Sequence, residues 1–338
     1  MELRGRFEEH TFESTALRGN PLGDPSERPL WVYLPPAYDL DPERHFPSIY
    51  LIQGMTGQLD MWRNRAAFRP TVLELIDELF AGADAPPPAI VVAVDCWTSY
   101  GGSQFIDSPA TGRYGTYLAD EVVEWIDGHY RTLAEPGHRG ITGKSSGGYG
   151  AMINGLLRPD RFGGLATHAG DSLFEICYQP EFAEVARALR NGYGGSYERW
   201  WADFRSRPAF TKQDDAALID AYAMAACYSA DPDGTVQLPF DPATGELRPE
   251  IWARWLAWDP VRVARTPAGS AALRGMRAIY IDAGTRDEYH LDLGAEAFRQ
   301  ACVAAGSVTP FFELIDARHG GIEYRYPISM RYLAERLA

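Results

Sequence analysis

Apolar positions along this chain change period several times, and the changes predict the elements. From residue 29 onward, short β-rich runs alternate with segments of helical spacing. RPLWVYL and FPSIYLIQG predict strands, and the Pro-Pro pair at 35 and 36 ends the first. Val72, Leu75, Ile76, Leu79 and Phe80 fall on one face, which predicts a helix over residues 70–81 with Pro70 at its opening. AIVVAVD at 89–95 predicts the next strand. A helix over 117–131 follows, with Leu118, Val122, Trp125, Ile126 and His129 in one stripe. HRGITG, a helix from about 147 and the apolar run GGLATHAG continue the rhythm. Such alternation implies a mainly parallel sheet covered on both faces.

Between about 172 and 265 the rhythm stops, and helix-forming, aromatic-rich stretches such as YERWWADF and EIWARWLAW surround a loop-like DPDGTVQLPFDPATGE. It resumes with the strand MRAIYIDAG, a helix over about 290–305, the strand VTPFFELID and a last helix, YPISMRYLAERL. Strands of the same character on both sides predict one α/β core, residues 1–171 and 266–338, carrying an inserted helical cap at 172–265. The Trp and Tyr residues of the cap are read first as packing, because aromatics dominate burial wherever they occur.

Composition narrows the function. A chain of 338 residues, 46% hydrophobic and 23% charged, is long enough for a large core and ordinary for a globular protein. Its net charge of -14 disfavours nucleic acid and anionic membrane surfaces as partners, since both would repel it. The N-terminal MELRGRFEEHTFES has no apolar core of a signal peptide, and no run approaches a bilayer's span, so a soluble cytoplasmic protein is expected. Cys96, Cys177, Cys227 and Cys302 are scattered, without zinc-ligand spacing, and neither metal nor cofactor is expected.

The stretch GITGKSSGGYG, residues 140–150, admits two chemistries. Gly143-Lys144-Ser145 resembles the end of a phosphate-binding loop, but the first glycine of that motif would have to stand at 138, which is His138. Gly137 is one residue early, and RTLAEPG before it is a turn, not a strand. Gly143-Lys144-Ser145-Ser146-Gly147 fits the alternative, a Gly-x-Ser-x-Gly turn from strand to helix that exposes a nucleophilic serine. On this reading Lys144 is a chance feature.

A serine nucleophile needs an acid and then a histidine, each just beyond a later strand. His168, inside an apolar run, is read as structural; His290 falls in a helix; His319, in the glycine-bearing loop DARHGG, is selected. Asp287 in the loop GTRDEY is the acid, preferred to Asp282 within the strand, with Glu288 and Asp171 behind it. His319 would take the proton as Ser145 attacks an ester carbonyl, and Asp287 would steady the imidazolium. The backbone N–H groups of Ser146 and Met55 are the expected oxyanion donors.

At this point the ordered motifs VYLPPAYD, SIYLIQGMTG, GKSSGGYGAM, IDAGTRDEY and ARHGG resemble the esterase D-like, antigen 85-like family of α/β-hydrolases. That family includes S-formylglutathione hydrolases, feruloyl and acetylxylan esterases, enterochelin esterases and mycolyltransferases. The resemblance spans residues about 30–335 outside the cap. It implies an α/β-hydrolase fold with an eight-stranded sheet, Ser145, Asp287 and His319 on the triad positions and Met55 and Ser146 on the oxyanion positions. Members commonly carry His-Gly where this chain has Gln53-Gly54.

The expected activity is therefore cofactor-independent hydrolysis of a small ester, of feruloyl, acetyl or siderophore type. Acyl transfer to an alcohol or sugar by the same triad is the alternative, and a non-catalytic binding protein the third reading. Gln53, Trp97, Gln104, Asp171, Trp200 and Trp201 are the candidate substrate-lining residues. A homodimer is allowed, although the sequence defines no interface.

Overall fold

The computed structural model describes residues 3–208 and 210–338. Eight strands form one sheet: β1 Arg6–Glu13, β2 Glu27–Leu34, β3 Ser48–Ile52, β4 Ile90–Val94, β5 Arg139–Lys144, β6 Gly164–His168, β7 Ala278–Gly284 and β8 Phe311–Ile315. Their spatial order is β1-β2-β4-β3-β5-β6-β7-β8. β2 runs antiparallel to both β1 and β4, and every later pairing is parallel. The carboxyl ends of β3 to β8 consequently meet at one edge, where a doubly covered sheet places its chemistry.

The period-2 pattern explains the two covered faces. Along β2, Leu30, Val32 and Leu34 enter one apolar layer while Trp31 and Tyr33 enter the other. Ile52 and Tyr50 of β3 join the first layer, Ile49 and Leu51 the second. Helix α1 (Val72–Ala81) and the C-terminal Tyr326–Leu337 helix cover the second face. The first is covered by α2 (Val123–His129) and α3 (Ser146–Leu157).

Most predicted elements are found within a few residues of their expected ends, with informative differences. α1 begins at Val72, not Pro70, because the Thr71 hydroxyl accepts from Glu74 N–H at 3.1 Å and Glu74 accepts from Thr71 N–H at 2.8 Å, a closed capping box. The expected helix over 117–131 opens as a π-helix, Tyr117–Val122, before α2. β1 has no predicted counterpart: RFEEHTFE is an edge strand with charged residues along it, and its apolar alternation is faint.

Between β6 and β7 the chain forms α4 (Phe182–Tyr193), α5 (Tyr197–Ser206), α6 (Asp215–Tyr228), α7 (Pro249–Leu256) and shorter helices. Phe182, Trp252 and Trp255 pack edge-on at 5.4 and 5.7 Å, and Tyr228 joins Trp255 to Tyr149 of α3. Their apolar contacts are continuous with the first layer of the sheet. Arg207 grips Asp215 through two bonds at 2.5 and 2.8 Å, fixing α5 to α6.

A buried polar network locks β6, β7 and the last helix, α8 (Tyr326–Leu337). His168 Nδ1 meets Asp282 Oδ1 at 2.7 Å and its Nε2 meets Ser329 Oγ at 2.8 Å. Tyr280 OH and Arg325 Nε both donate to Asp282 Oδ2 at 2.8 Å. Burial acts to raise the Asp282 pKa, but His168 and Arg325 outweigh it and hold the carboxyl below its ordinary value. Its ionised form therefore stabilises the fold above about pH 4, and that contribution is lost as pH falls through the depressed pKa. Asp282→Ala is expected to cost about 3 kcal/mol in urea unfolding at pH 7, because it removes the carboxylate that buried His168, Tyr280 and Arg325 share and leaves Arg325 only the part-exposed Glu313 as an ionic partner, and the deficit should shrink at acid pH.

Candidate active site

The loops after β3, β4, β5, β6, β7 and β8 supply the candidate residues, and the backbones of the first five are unusual in the same way. Among the described residues eight non-glycines have positive φ, and seven lie in these loops: Thr56 after β3, Gln104 and Phe105 after β4, Ser145 after β5, Ala169 and Leu173 after β6, and His290 after β7. Strained residues cluster where surrounding structure over-determines them, which is a mark of functional sites.

Ser145 has φ 59° and ψ -128° and precedes α3 directly. Its N–H donates to His168 O and its carbonyl accepts from Tyr149 N–H, both at 2.9 Å. The flanking glycines are required by contact. A Cβ on Gly143 would stand 2.5 Å from the Gly147 carbonyl carbon, and one on Gly147 would stand 2.6 Å from Ile52 O and 2.8 Å from Gln53 O. The turn is thus wedged against the end of β3.

Asp287 and His319 are brought together by the next two loops. Thr285 N–H donates to Ile315 O at 2.8 Å and Arg286 N–H to Ala317 O at 3.0 Å, joining the acid loop to the histidine loop through backbone. His319 Nδ1 then meets Asp287 Oδ2 at 2.8 Å. The Asp287 side chain is inaccessible and its Oδ1 accepts from Tyr289 N–H at 2.9 Å; the imidazole keeps 16% of its surface. Glu288, the fallback acid, accepts the His319 backbone N–H at 3.0 Å and so braces the loop from outside. That bond lowers the Glu288 pKa. Among the described residues no hydrogen bond joins the Ser145 hydroxyl to His319; such catalytic contacts commonly tighten only with substrate bound.

Lys144, read from sequence as a chance feature, has a structural task. Its Nζ pairs with Glu323 at 2.5 Å and donates to His319 O at 3.4 Å, tying the serine turn to the histidine loop.

Met55 follows Gly54, where an added Cβ would lie 3.1 Å from Lys144 O and 3.5 Å from Ser145 Cβ. This loop therefore passes directly over the serine. Among the described residues the N–H groups of Met55 and Ser146 donate to no protein acceptor. Thr56 N–H is taken by Gly101 O at 2.9 Å, which anchors the loop.

The residues expected to line a substrate pocket separate into two groups. Gln53 is 2% exposed, and its amide bridges Val94 O at 2.9 Å, Cys96 N–H at 2.8 Å and Trp97 N–H at 2.9 Å. It is a brace under the Met55 loop. Trp200 is fully buried with its indole on Asp215 at 3.2 Å, so it belongs to the packing of the inserted helices. Trp201 packs edge-on against Tyr100 at 5.2 Å. A cleft of about 470 Å³ opens near it, walled by Tyr100, Tyr197 and Tyr222, and holds none of the residues around Ser145. Trp97 is half-buried, its carbonyl accepting from Tyr114 OH at 3.1 Å. Gln104 and Asp171 do reach the serine turn: Asp171 Oδ2 accepts from Ser146 Oγ at 3.2 Å, Gln104 Nε2 at 3.3 Å and Tyr178 OH at 2.8 Å. Burial raises the Asp171 pKa, and the Tyr178 bond partly offsets it.

A strand-to-helix serine turn, an aspartate–histidine pair on the following loops and this strand order define a hydrolase with the α/β-hydrolase fold. The profile of the "Putative esterase" family matches residues 25–306, and the chain belongs to that family. Membership places it among carboxylic ester hydrolases. A ferulic acid esterase superposes over 100% of both chains with a TM-score of 0.62 at 20% identity. An S-formylglutathione hydrolase from Agrobacterium tumefaciens matches 100% of this chain and 98% of its own, TM-score 0.57, at 17% identity. Mycobacterium tuberculosis MPT51 matches 98% and 99%, TM-score 0.55, at 15% identity. These likenesses show the fold. An uncharacterized protein of Corynebacterium glutamicum is 30% identical over 144 residues, 42% of this chain, and the match spans 32% of that relative's length.

Because Ile52 O and Gln53 O are backbone atoms that cannot swing away, Gly147→Ala is expected to lower stability by about 1–3 kcal/mol in urea unfolding. Gly128→Ala, in a helix with open space around it, should instead raise stability by about 0.5–1 kcal/mol.

Proposed function

We propose that the protein hydrolyses small carboxylic esters through an acyl-enzyme on Ser145, with His319 as general base and acid and Asp287 as its orienting carboxylate. The observation that carries this reading is the 2.8 Å Asp287–His319 hydrogen bond on the loops next to a serine held at φ 59°. Asp287 fixes the proton on Nδ1, which leaves Nε2 free to accept the Ser145 hydroxyl proton as Oγ bonds to the carbonyl carbon. The oxyanion is taken by the N–H groups of Met55 and Ser146, the latter at the positive end of α3. Collapse of the intermediate expels the alcohol, which receives the proton from Nε2; water then repeats the sequence and releases the acid.

Feruloyl, acetyl and siderophore-type esters are the classes carried forward, and the likeness to a ferulic acid esterase supports the first. Among the described residues no helix is long and apolar enough to cross a membrane. The four cysteines are all unpaired and buried, which supports a reducing, cytoplasmic setting.

Kinetics of point variants on p-nitrophenyl esters test the assignment. Ser145→Ala should lower kcat by about 10⁶ and Asp287→Ala by about 10⁴, whereas Glu288→Ala, which removes only an outer brace, should lose less than about tenfold. Activity retained in Ser145→Ala, or a larger loss at Glu288 than at Asp287, would reverse these roles. An ester product formed from an added alcohol or sugar would move the reading to acyl transfer by the same residues.

A further inference from the structure

Next to Ser145 lie acceptors that the protein does not satisfy. Asp171 is 6% exposed, and Tyr178, Ser146 and Gln104 all donate to its Oδ2. No donor among the described residues reaches Oδ1. Gln104 is fully buried; its Nε2 serves Asp171, Tyr178 at 3.4 Å and Tyr228 at 2.9 Å, while its Oε1 has no partner. A Cβ placed on Gly102 would be 3.2 Å from Met55 Sδ and 3.9 Å from that Oε1, so the carbonyl faces the Met55 loop. Gln104 Oε1 is closed off from solvent, whereas Asp171 Oδ1, on the carboxylate that holds Ser146 Oγ, is the unmet acceptor beside the serine turn.

Two further carboxylates extend the same wall. On α6, Tyr228 bonds Gln104 and Met224 Sδ accepts from Tyr178 OH at 3.4 Å. Asp220 is one turn earlier on that face. Glu181 stands three residues beyond Tyr178 in the 3-10 turn Gln179–Glu181. Neither side chain has a hydrogen bond or ion pair among the described residues. Tyr289, edge-on to His319 at 5.0 Å, is within electrostatic reach of both. Burial first, and neighbouring carboxylates second (Glu181 and Asp171 acting on Asp220, Glu184 and Asp171 on Glu181), push Asp220 well above its ordinary pKa and Glu181 up to about 7. No Lys or Arg figures among the charges that act on Asp171, Glu181 or Asp220; the one basic group that does is His319, which acts on Asp171.

With no permanent cation beside them these carboxyls hold protons more tightly than usual, and a cation seated among them would restore their charge. An ammonium offers three donors and no acceptor, and it carries the missing charge. We propose that the half of the ester lying against Asp171 bears a protonated amine, seated on Asp171 Oδ1, with Asp220 and Glu181 supplying the surrounding negative potential. The inference rests on the Ser145 esterase reading.

The test compares kcat/KM within two matched pairs: p-nitrophenyl 6-aminohexanoate against p-nitrophenyl heptanoate, and 6-aminohexyl butyrate against heptyl butyrate. In one pair the amine should be preferred by at least about tenfold, the factor given by ~1.4 kcal/mol. Asp220→Asn should bring that ratio close to one, and Glu181→Gln should lower it. The ratio in the unaltered protein should also fall several-fold between ~0.02 and ~0.5 M salt, a readout that needs no variant. A ratio of one or below in both pairs, or a preference unmoved by salt and by Asp220→Asn, overturns the proposal. Alkyl esters cleaved through Ser145 without an amine preference would overturn this inference alone; a protein that neither cleaves any of the four nor acylates Ser145 would remove the esterase reading beneath it.

Discussion

The site depends on one backbone contact: Gly147 of the serine turn packed against the carbonyls that end β3, with no room for a single added carbon. Wedged there, Ser145 is held at φ 59° and ψ -128°, a conformation that costs a non-glycine residue about 1–3 kcal/mol. The sheet sustains it because β5 is paired on both sides, by β3 and by β6, and His168 O of β6 fixes the Ser145 N–H. The same contact brings the Met55 loop over the serine, so the proposed nucleophile and the proposed oxyanion donors are set by one packing event. Lys144 extends the arrangement sideways, carrying the turn's position to the His319 loop through a charged pair with Glu323.

Beneath this edge, polar pairs keep neighbouring strands from slipping. The His168–Asp282–Arg325 network joins β6, β7 and α8 in the interior, while Asp287 and His319 pair above it on the loops. Two Asp–His hydrogen bonds thus lie close together with different tasks. Asp282 and His168 are both inaccessible and satisfied by Ser329, Tyr280 and Arg325, so their pair serves the fold. His319 keeps part of its surface, and its second nitrogen points to no protein partner among the described residues.

Strand and helix periods reveal the central sheet from sequence, since buried runs such as IVVAV and AIYIDAG have little else they could be. The chain order of serine, acid and histidine identifies Ser145, Asp287 and His319 as candidates without coordinates, and His168 reads as structural because its surroundings are apolar. What the sequence hides is long-range partnership. β1 carries its charges in plain view and pairs only through backbone at an edge. Gln53 reads as a site residue because it stands beside Gly54, yet its amide is consumed by the loop after β4. Trp200 sits in an aromatic stretch that suggests a pocket wall, and a bond to Asp215 fifteen positions away turns it inward. Asp220 gives no local signal at all; it matters because helix packing lays α6 over Tyr178 and Gln104. The positive-φ loops are likewise invisible, since only Gly among common residues advertises such backbone.

In the proposed mechanism the decisive step is covalent: the strained turn presents Ser145, and not the adjacent Ser146, to an electrophilic carbonyl. The direct measurement is intact-mass and peptide-mass analysis of the folded protein after reaction with a fluorophosphonate. A single stoichiometric adduct on Ser145 is the predicted result. An adduct on Ser146, or none on a protein that remains folded, would contradict the assignment of Ser145.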